Sequence, residues 1–482
     1  MPPAYPPYSS LPSTPNGSPP TSSASTLSPA LHSLPPRRFS RESQDFDKED
    51  EAFLARVSSL GHKTSTARAL WQKVASHTPL RHLALAVVAL TGLYTVFASS
   101  RPTGPTFLPS PATYFDARIP FFDFNATDES EALPTAIAKS LRLTHEQCDV
   151  AFPKLWPQIE RRRDDQKREG GVSERHLDAG GGGARVALID GDLFVKKFEP
   201  FGTRTQSVLG SLHEAVAASA EPLPDVDFYF QPLDKGYPGP VWETVQPRPG
   251  AVGWLVPDFG FFSWPEPILT GYKGVLREIE RVEKEVRWSR KLPKIFWRGA
   301  FLAPIRDALR DAAEGQPWGD IGSIEWRENG KGSVPLWDHC RYKYLAHAEG
   351  YEGAYSGRLK YLLNCKSVVI SHPLHWDQHF HAAFDSDPNS PNQNIVMLGG
   401  NDWEELPETM EFLEGNPERA KLIAENARRT LAGRYLTPAS TACYWRRMLV
   451  EYAKTQKFKP QIGDGKDYES FMLMGRMWWE PS

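Results

Sequence analysis

The chain has 482 residues, 40% of them apolar and 12% aromatic, enough for a large core and two or three domains. A net charge of −3 excludes the global basic field of a nucleic-acid binder. Four widely spaced cysteines (Cys148, Cys340, Cys365, Cys443), with no CxxC or CxxH pair, exclude a zinc ribbon or finger and leave the pairing of any disulfides open.

The first 40 residues are about half Pro and Ser and cannot bury enough apolar surface to order themselves; residues 1–79 read as a disordered tail. LRHLALAVVALTGLYTVFASS follows, and Leu83 to Ala98 carries no charge. At roughly 1.5 Å per residue that stretch spans about 24 Å, short for a ~30 Å hydrocarbon core but suited to a thin ER or Golgi bilayer. Flanked by Pro-rich sequence, with no neighbour to cover it, 80–100 is expected to be a single-pass anchor. Lys63, Arg68, Lys73 and Arg81 precede it, so the positive-inside rule leaves the N-terminus cytosolic and the rest luminal, a type II topology. Residues 101–145 then form a luminal stem, where Asn125-Ala126-Thr127 is a glycosylation sequon; the sequon at Asn16 stays bare.

From about Glu146 the chain looks folded. RVALIDGDLFVKKF is a hairpin turning at Asp190-Gly191. Val275–Lys291 reads as a helix with charged faces, and KIFWRGA, SIEW and KSVVIS as short strands. Trp403–Leu436 is helical with a break at Gly415-Asn416-Pro417, and STACYWRRMLVEYAK is a last helix. Strands alternating with helices imply an α/β protein with parallel sheets. One N-terminal domain is expected over 146–290, a second over 291–455, and a tail over 456–482.

Gly180–Gly183, Lys196-Lys197 and Asp258-Phe259-Gly260 imitate a protein kinase. The order excludes one: no HRDxxxxN-like loop precedes the DFG, and the interval after Lys197 is too short for the intervening lobe. The tetrad also lacks the GK[ST] of a P-loop.

Three stretches carry chemistry. In KIFWRGAF a strand ends in Trp297-Arg298-Gly299, a fork of donors followed by a residue with no side chain in the way of a diphosphate. In AEGYEGAYSGRLKYLLNCK, Ser356 and Gly357 stand where a helix N-cap belongs. Arg358 in the first turn opposes the helix dipole unless an anion fills the site. The third, SHPLHWDQHFH, follows the strand SVVIS directly, where ligands of open α/β sheets bind. Its histidines 372, 375, 379 and 381 could suggest zinc. Pro373, the loop position and the missing HExxH glutamate argue against a metal. The loop instead reads as lining a nucleotide or sugar pocket, with Trp376, His379 and Phe380 as stacking or shaping groups. Asp385-Ser386-Asp387, a DxD look-alike, lies in a Pro/Asn-rich loop and reads as solvated.

FWRG, RYKYL…YSGRLKYLLNCKSVVIS, LPDVDFYFQPLDKGYPG, VPDFGFFSWPEP and CYWRRMLVEY, together spanning roughly Pro224 to Lys454, resemble the family 90 glycosyltransferases. These include animal protein O-glucosyl/O-xylosyltransferases and fungal capsule-associated proteins; the anchored form is the fungal type. The resemblance implies a GT-B-like fold of two Rossmann-like domains facing a cleft. It implies inverting transfer from a UDP-sugar to a protein or polysaccharide hydroxyl, with no metal and no other cofactor. It places the catalytic aspartate at Asp234. It matches Arg298, Ser356 and Arg358 to donor-binding positions; Gly299, Lys360, Trp376, His379 and Phe380 are expected to join them from their places beside these motifs and in the histidine loop, and Asp258, Phe259 and Trp264 to line the cleft or acceptor side. Two positions depart from the animal pattern: Gly357 replaces an aromatic, and His375 replaces an acidic residue before the loop tryptophan. A catalytically inactive glycan-binding homologue is the alternative from another class.

Overall fold

The computed structural model describes residues 130–474, except 178–181, 200–201, 235, 237–238, 249–252, 265–270, 326–327, 329, 351–353 and 401. The tail, the anchor at 80–100 and the sequon at Asn125 lie outside the described residues. Among those described, no helix is long and apolar enough to cross a membrane. The stem expected to run to 145 is partly packed: Leu133, Ile137 and Leu143 are buried in the main core.

β1 (Gly183–Ile189) and β2 (Asp192–Glu199) form the expected hairpin. Asp190 and Gly191 take φ of 53° and 89°, the left-handed pair that a two-residue hairpin turn requires. β3 (Val226–Gln231) runs antiparallel beside β1, and all its residues are buried. Its one carboxylate, Asp227, is satisfied by Arg185 at 3.0 Å and Lys196 at 2.7 Å. β4 (Trp242–Glu243) follows, then β5 (Gln246–Pro247) and β6 (Trp254–Leu255), with β4 and β6 extending the sheet in parallel.

The helix expected over 275–291 spans Tyr272–Glu285 and ends where Val286 turns extended. β7 (Leu292–Gly299) begins the second sheet. β8 (Gly319–Ser323) lies a few residues ahead of the expected SIEW strand. There the Arg298 side chain lies over its register partner Gly322, where a Cβ would stand 3.0 Å from Nε. β9 (Tyr342–His347) and β10 (Val368–Ser371) come next. β11 (Trp376–Asp377) leaves the sheet to pair with β5, tying the two halves together, and β12 (Val396–Met397) completes it.

The second sheet is five-stranded, ordered β12-β10-β9-β7-β8, and every pairing is parallel. Counted from its own first strand this is the doubly wound order 2-1-3-4-5. After the helices 406–415 and 417–426 and a π-helical stretch at 427–435, helix Pro438–Ala453 returns to the first half. There Trp445 stacks on Trp242 and donates to Ser211 Oγ at 2.9 Å. β13 (Lys466–Asp467) then pairs with β2, so the first sheet reads β13-β2-β1-β3-β4-β6. The first half therefore corrects the Rossmann-like expectation: its hairpin makes the sheet mixed, and only the second sheet is wholly parallel. Disulfides Cys148–Cys443 and Cys340–Cys365 use all four cysteines.

Candidate active site

The segment 354–360 is the hub between the halves. The Tyr355 N–H donates to the Asp234 carbonyl at 3.2 Å, which fixes the loop after β3 against the loop after β9. The Asp234 carboxylate is part-exposed, and one of its oxygens is held at 2.7 Å by Arg204 from the start of helix 202–217. Arg204 in turn lies 4.7 Å over the Phe259 ring. Phe259 is buried and meets Trp264 edge-on. Trp264 fills the space beside Gly357: a Cβ there would stand 3.4 Å from its ring. The absent aromatic at 357 is thus replaced by one from elsewhere in the chain.

Three residues on, Lys360 and Asp258 form an ion pair at 2.8 Å with no exposed side-chain surface on either partner. Lys360 also donates to the Gly357 carbonyl, and Asp258 accepts from Gln378 and from the Gly260 N–H. Two residues expected to face donor and cleft are instead a buried clasp joining the DFG turn to the hub. Lys360 has no open face for a phosphate. Arg358 is not in the first turn of a long helix either. It caps a single turn, Leu359–Leu362, too short for the dipole argument, and Ser356 is half-buried ahead of it.

Arg298 and Arg358 meet, but not by their charged ends. Arg358 donates to the main-chain carbonyl of Arg298. The Arg298 guanidinium bonds Asp320 Oδ1 at 2.5 Å and lies 4.3 Å over Phe296. Arg358 lies over Trp297, 5.6 Å from the ring centre, beside Arg306. Burial, then the Arg306 charge, lowers its pKa to about 10. Gly299 answers to its own strand: a Cβ would stand 2.5 Å from the Trp297 indole.

In the histidine loop the organising group is Glu349, just past β9. Buried, it accepts from the N–H groups of His375 and Trp376, each at 3.1 Å, and from His375 Nδ1 at 2.9 Å. Burial pushes its carboxyl up, against the pull of these donors. Glu349, His372 and His375 carry donor atoms within 4.8 Å of one another, the spacing of a metal site. Those atoms are already engaged, however: His372 Nε2 accepts the Glu349 N–H at 3.1 Å while Nδ1 donates to the Pro373 carbonyl at 2.8 Å. Trp376 is part-exposed in β11. His379 and Phe380 are buried against Phe261 and show no face on which a base could stack.

The family model for glycosyl transferase family 90 matches residues 153–472. The chain belongs to glycosyl transferase family 90. Among curated proteins it is similar to an O-glucosyltransferase rumi homolog of Aedes aegypti, 23% identical over 60% of this chain and 76% of that one. It is also similar to protein O-glucosyltransferase 3 of Mus musculus (26%, covering 61% and 60%) and protein O-glucosyltransferase 1 of Bos taurus (26%, covering 44% and 56%).

Four residues of this family 90 site escaped the sequence reading: Arg204, Arg306, Asp320 and Glu349. The signal for Arg306 was present. It lies in the first turn of helix Pro304–Ala313, directly after β7, where the reasoning applied to Arg358 belongs. Arg204, Asp320 and Glu349 gave none, because each matters only through a partner distant in the chain.

Proposed function

We propose that this chain is an inverting glycosyltransferase of GT-B-like architecture, moving glucose or xylose from a UDP-sugar to a hydroxyl. The names of its relatives favour a protein acceptor over a polysaccharide. One observation carries the reading: the four-residue segment Tyr355–Arg358 ties the two sides together, Tyr355 bonding the Asp234 carbonyl after the first sheet's β3 and Arg358 the Arg298 carbonyl at the end of the second sheet's β7. A base on one side and a cation on the other are what a back-side displacement needs. The acceptor oxygen bonds to the anomeric carbon, its proton passes to the carboxylate of Asp234, and the sugar–phosphate bond breaks. The electron pair leaves with the β-phosphate oxygen of UDP, where guanidinium charge is already in place. The arginines supply the neutralisation a metal would otherwise give, so the step is written without one.

Paired cysteines suit an oxidising compartment and support a luminal enzyme of the ER or Golgi, anchored through 80–100 and glycosylated at Asn125. The test is a panel of UDP-sugars scored for donor hydrolysis and for transfer to folded protein acceptors. Turnover of UDP-glucose or UDP-xylose supports the reading; glycan binding with no turnover of any donor replaces it with the inactive homologue.

A further inference from the structure

The Asp234 carboxylate has one partner among the described residues, Arg204, whose Nη1 donates to Oδ1 at 2.7 Å. No bond from a described residue reaches Oδ2. The side chain keeps 42% of its surface exposed, so the carboxylate is open to an incoming hydroxyl. The main chain of the same residue is fixed separately, by the Tyr355 N–H on its carbonyl at 3.2 Å. Two different segments therefore anchor Asp234, and one oxygen is left over.

Arg204 is itself constrained. It stands in the first turn of helix Gly202–Ala217, where a cation opposes the helix dipole and a carboxylate beside it offsets that cost. Its guanidinium carbon lies 4.7 Å from the centre of the buried Phe259 ring. Phe259 begins the turn that Asp258 caps through the Gly260 N–H, and Asp258 is held by Lys360 at 2.8 Å inside the core. An ordinary surface ion pair joins two mobile side chains and fixes neither. Here one partner rests on a ring that the core holds still, so its orientation is passed on to the other.

We propose that Arg204 is a positioning residue for the base: it fixes Asp234 through Oδ1 so that Oδ2 meets the acceptor hydroxyl and takes its proton, while the acceptor oxygen bonds to the anomeric carbon and UDP leaves with the electron pair. This rests on the proposed role of Asp234. The experiment is a double-mutant cycle on the full chain, reading kcat and donor KM for transfer to a folded protein acceptor. Arg204→Gln is expected to lower kcat by about 10- to 100-fold, with donor KM within about twofold of the parent. Arg204→Lys keeps the charge and loses the planar fork, and is expected to lose about 3- to 10-fold; should Arg204→Gln fail to fold, the cycle is run with Arg204→Lys. In an Asp234→Asn background the Arg204 substitution is expected to change the residual rate less than about twofold, because no base remains to be positioned. An equal loss in both backgrounds makes Arg204 a structural residue and overturns the proposal. So does a parental kcat, and so does a raised one, which would make the contact a latch that holds Asp234 idle. Each of these three outcomes leaves Asp234 as the base. Parental transfer by Asp234→Asn sinks that reading and the role of Arg204 with it.

Discussion

Arg358 is hydrogen-bonded to the main-chain carbonyl of Arg298, while the Arg298 side chain turns to Asp320. Two arginines that look equivalent in the sequence therefore hold different positions, one committed to a carboxylate and one, among the described residues, not. In the proposed reaction Arg358 supplies the charge and Asp234 the base, and each can be tested separately.

Replacing Asp234 by Asn removes the proposed proton acceptor and keeps the shape. Transfer is expected to fall by about 10²–10⁴-fold with UDP affinity unchanged. Stopped assays with a saturating donor, paired with calorimetry, check this; a variant that transfers at the parental rate would reject the assignment.

The Lys360–Asp258 clasp predicts a stability effect rather than a binding one. Lys360→Met leaves a buried carboxylate without its cation and is expected to cost about 3–5 kcal/mol. Adding Asp258→Asn should recover part of that loss in urea unfolding. Equal stability of Lys360→Met and the parent would show that the pair is not locked in the core.

Buried histidines give the protein a pH limit. Burial holds the His372 pKa at about 4 and that of His339 at about 3, below the 6.5 of an open imidazole. Below pH 6.5 the unfolded chain takes up protons that the folded chain refuses. Their contribution is therefore complete above pH 6.5 and declines as pH falls towards 4, by up to about 1.4 kcal/mol per pH unit for each ring. Denaturant titrations at pH 7.5, 5.5 and 4.5 should show the decline, shallower in His372→Gln; a flat profile contradicts it.

Metal removal should leave transfer unchanged. The Glu349, His372 and His375 atoms are bonded to one another and to the main chain in the arrangement that holds the loop. Assays after EDTA dialysis, with and without added Mn²⁺ or Zn²⁺, are expected to agree within about twofold. Loss on chelation and recovery with one ion would make the cluster a metal site.

The Cys340–Cys365 bridge closes a separation of 25 residues around β9. A Cys340→Ser/Cys365→Ser double variant is expected to lose about 3 kcal/mol, read as a lower denaturation midpoint. An unchanged midpoint would mean that the bridge is not formed in the native protein.

Local chemistry made much of this molecule legible. Asp190-Gly191 specified a hairpin because few other pairs tolerate two left-handed residues in succession. Gly415-Asn416-Pro417 broke a helix because proline cannot continue one. Strands and helices in alternation specified α/β, Arg298 and Arg358 could be singled out from their motifs, and Asp234 from the family resemblance alone. Which cation a carboxylate engages could not. Arg298 is neutralised by Asp320, 22 residues away; Lys360 is sealed by Asp258, 102 residues away; and Arg306 reaches the Glu349 carbonyl only because β7 and β9 are neighbours in space. Nor could the first sheet be foreseen, since β13 reaches β2 only after the second half is complete. A side chain's type is fixed by its codon, but its charge is available to a ligand only if no partner is folded against it, and partners are assigned by tertiary contact alone.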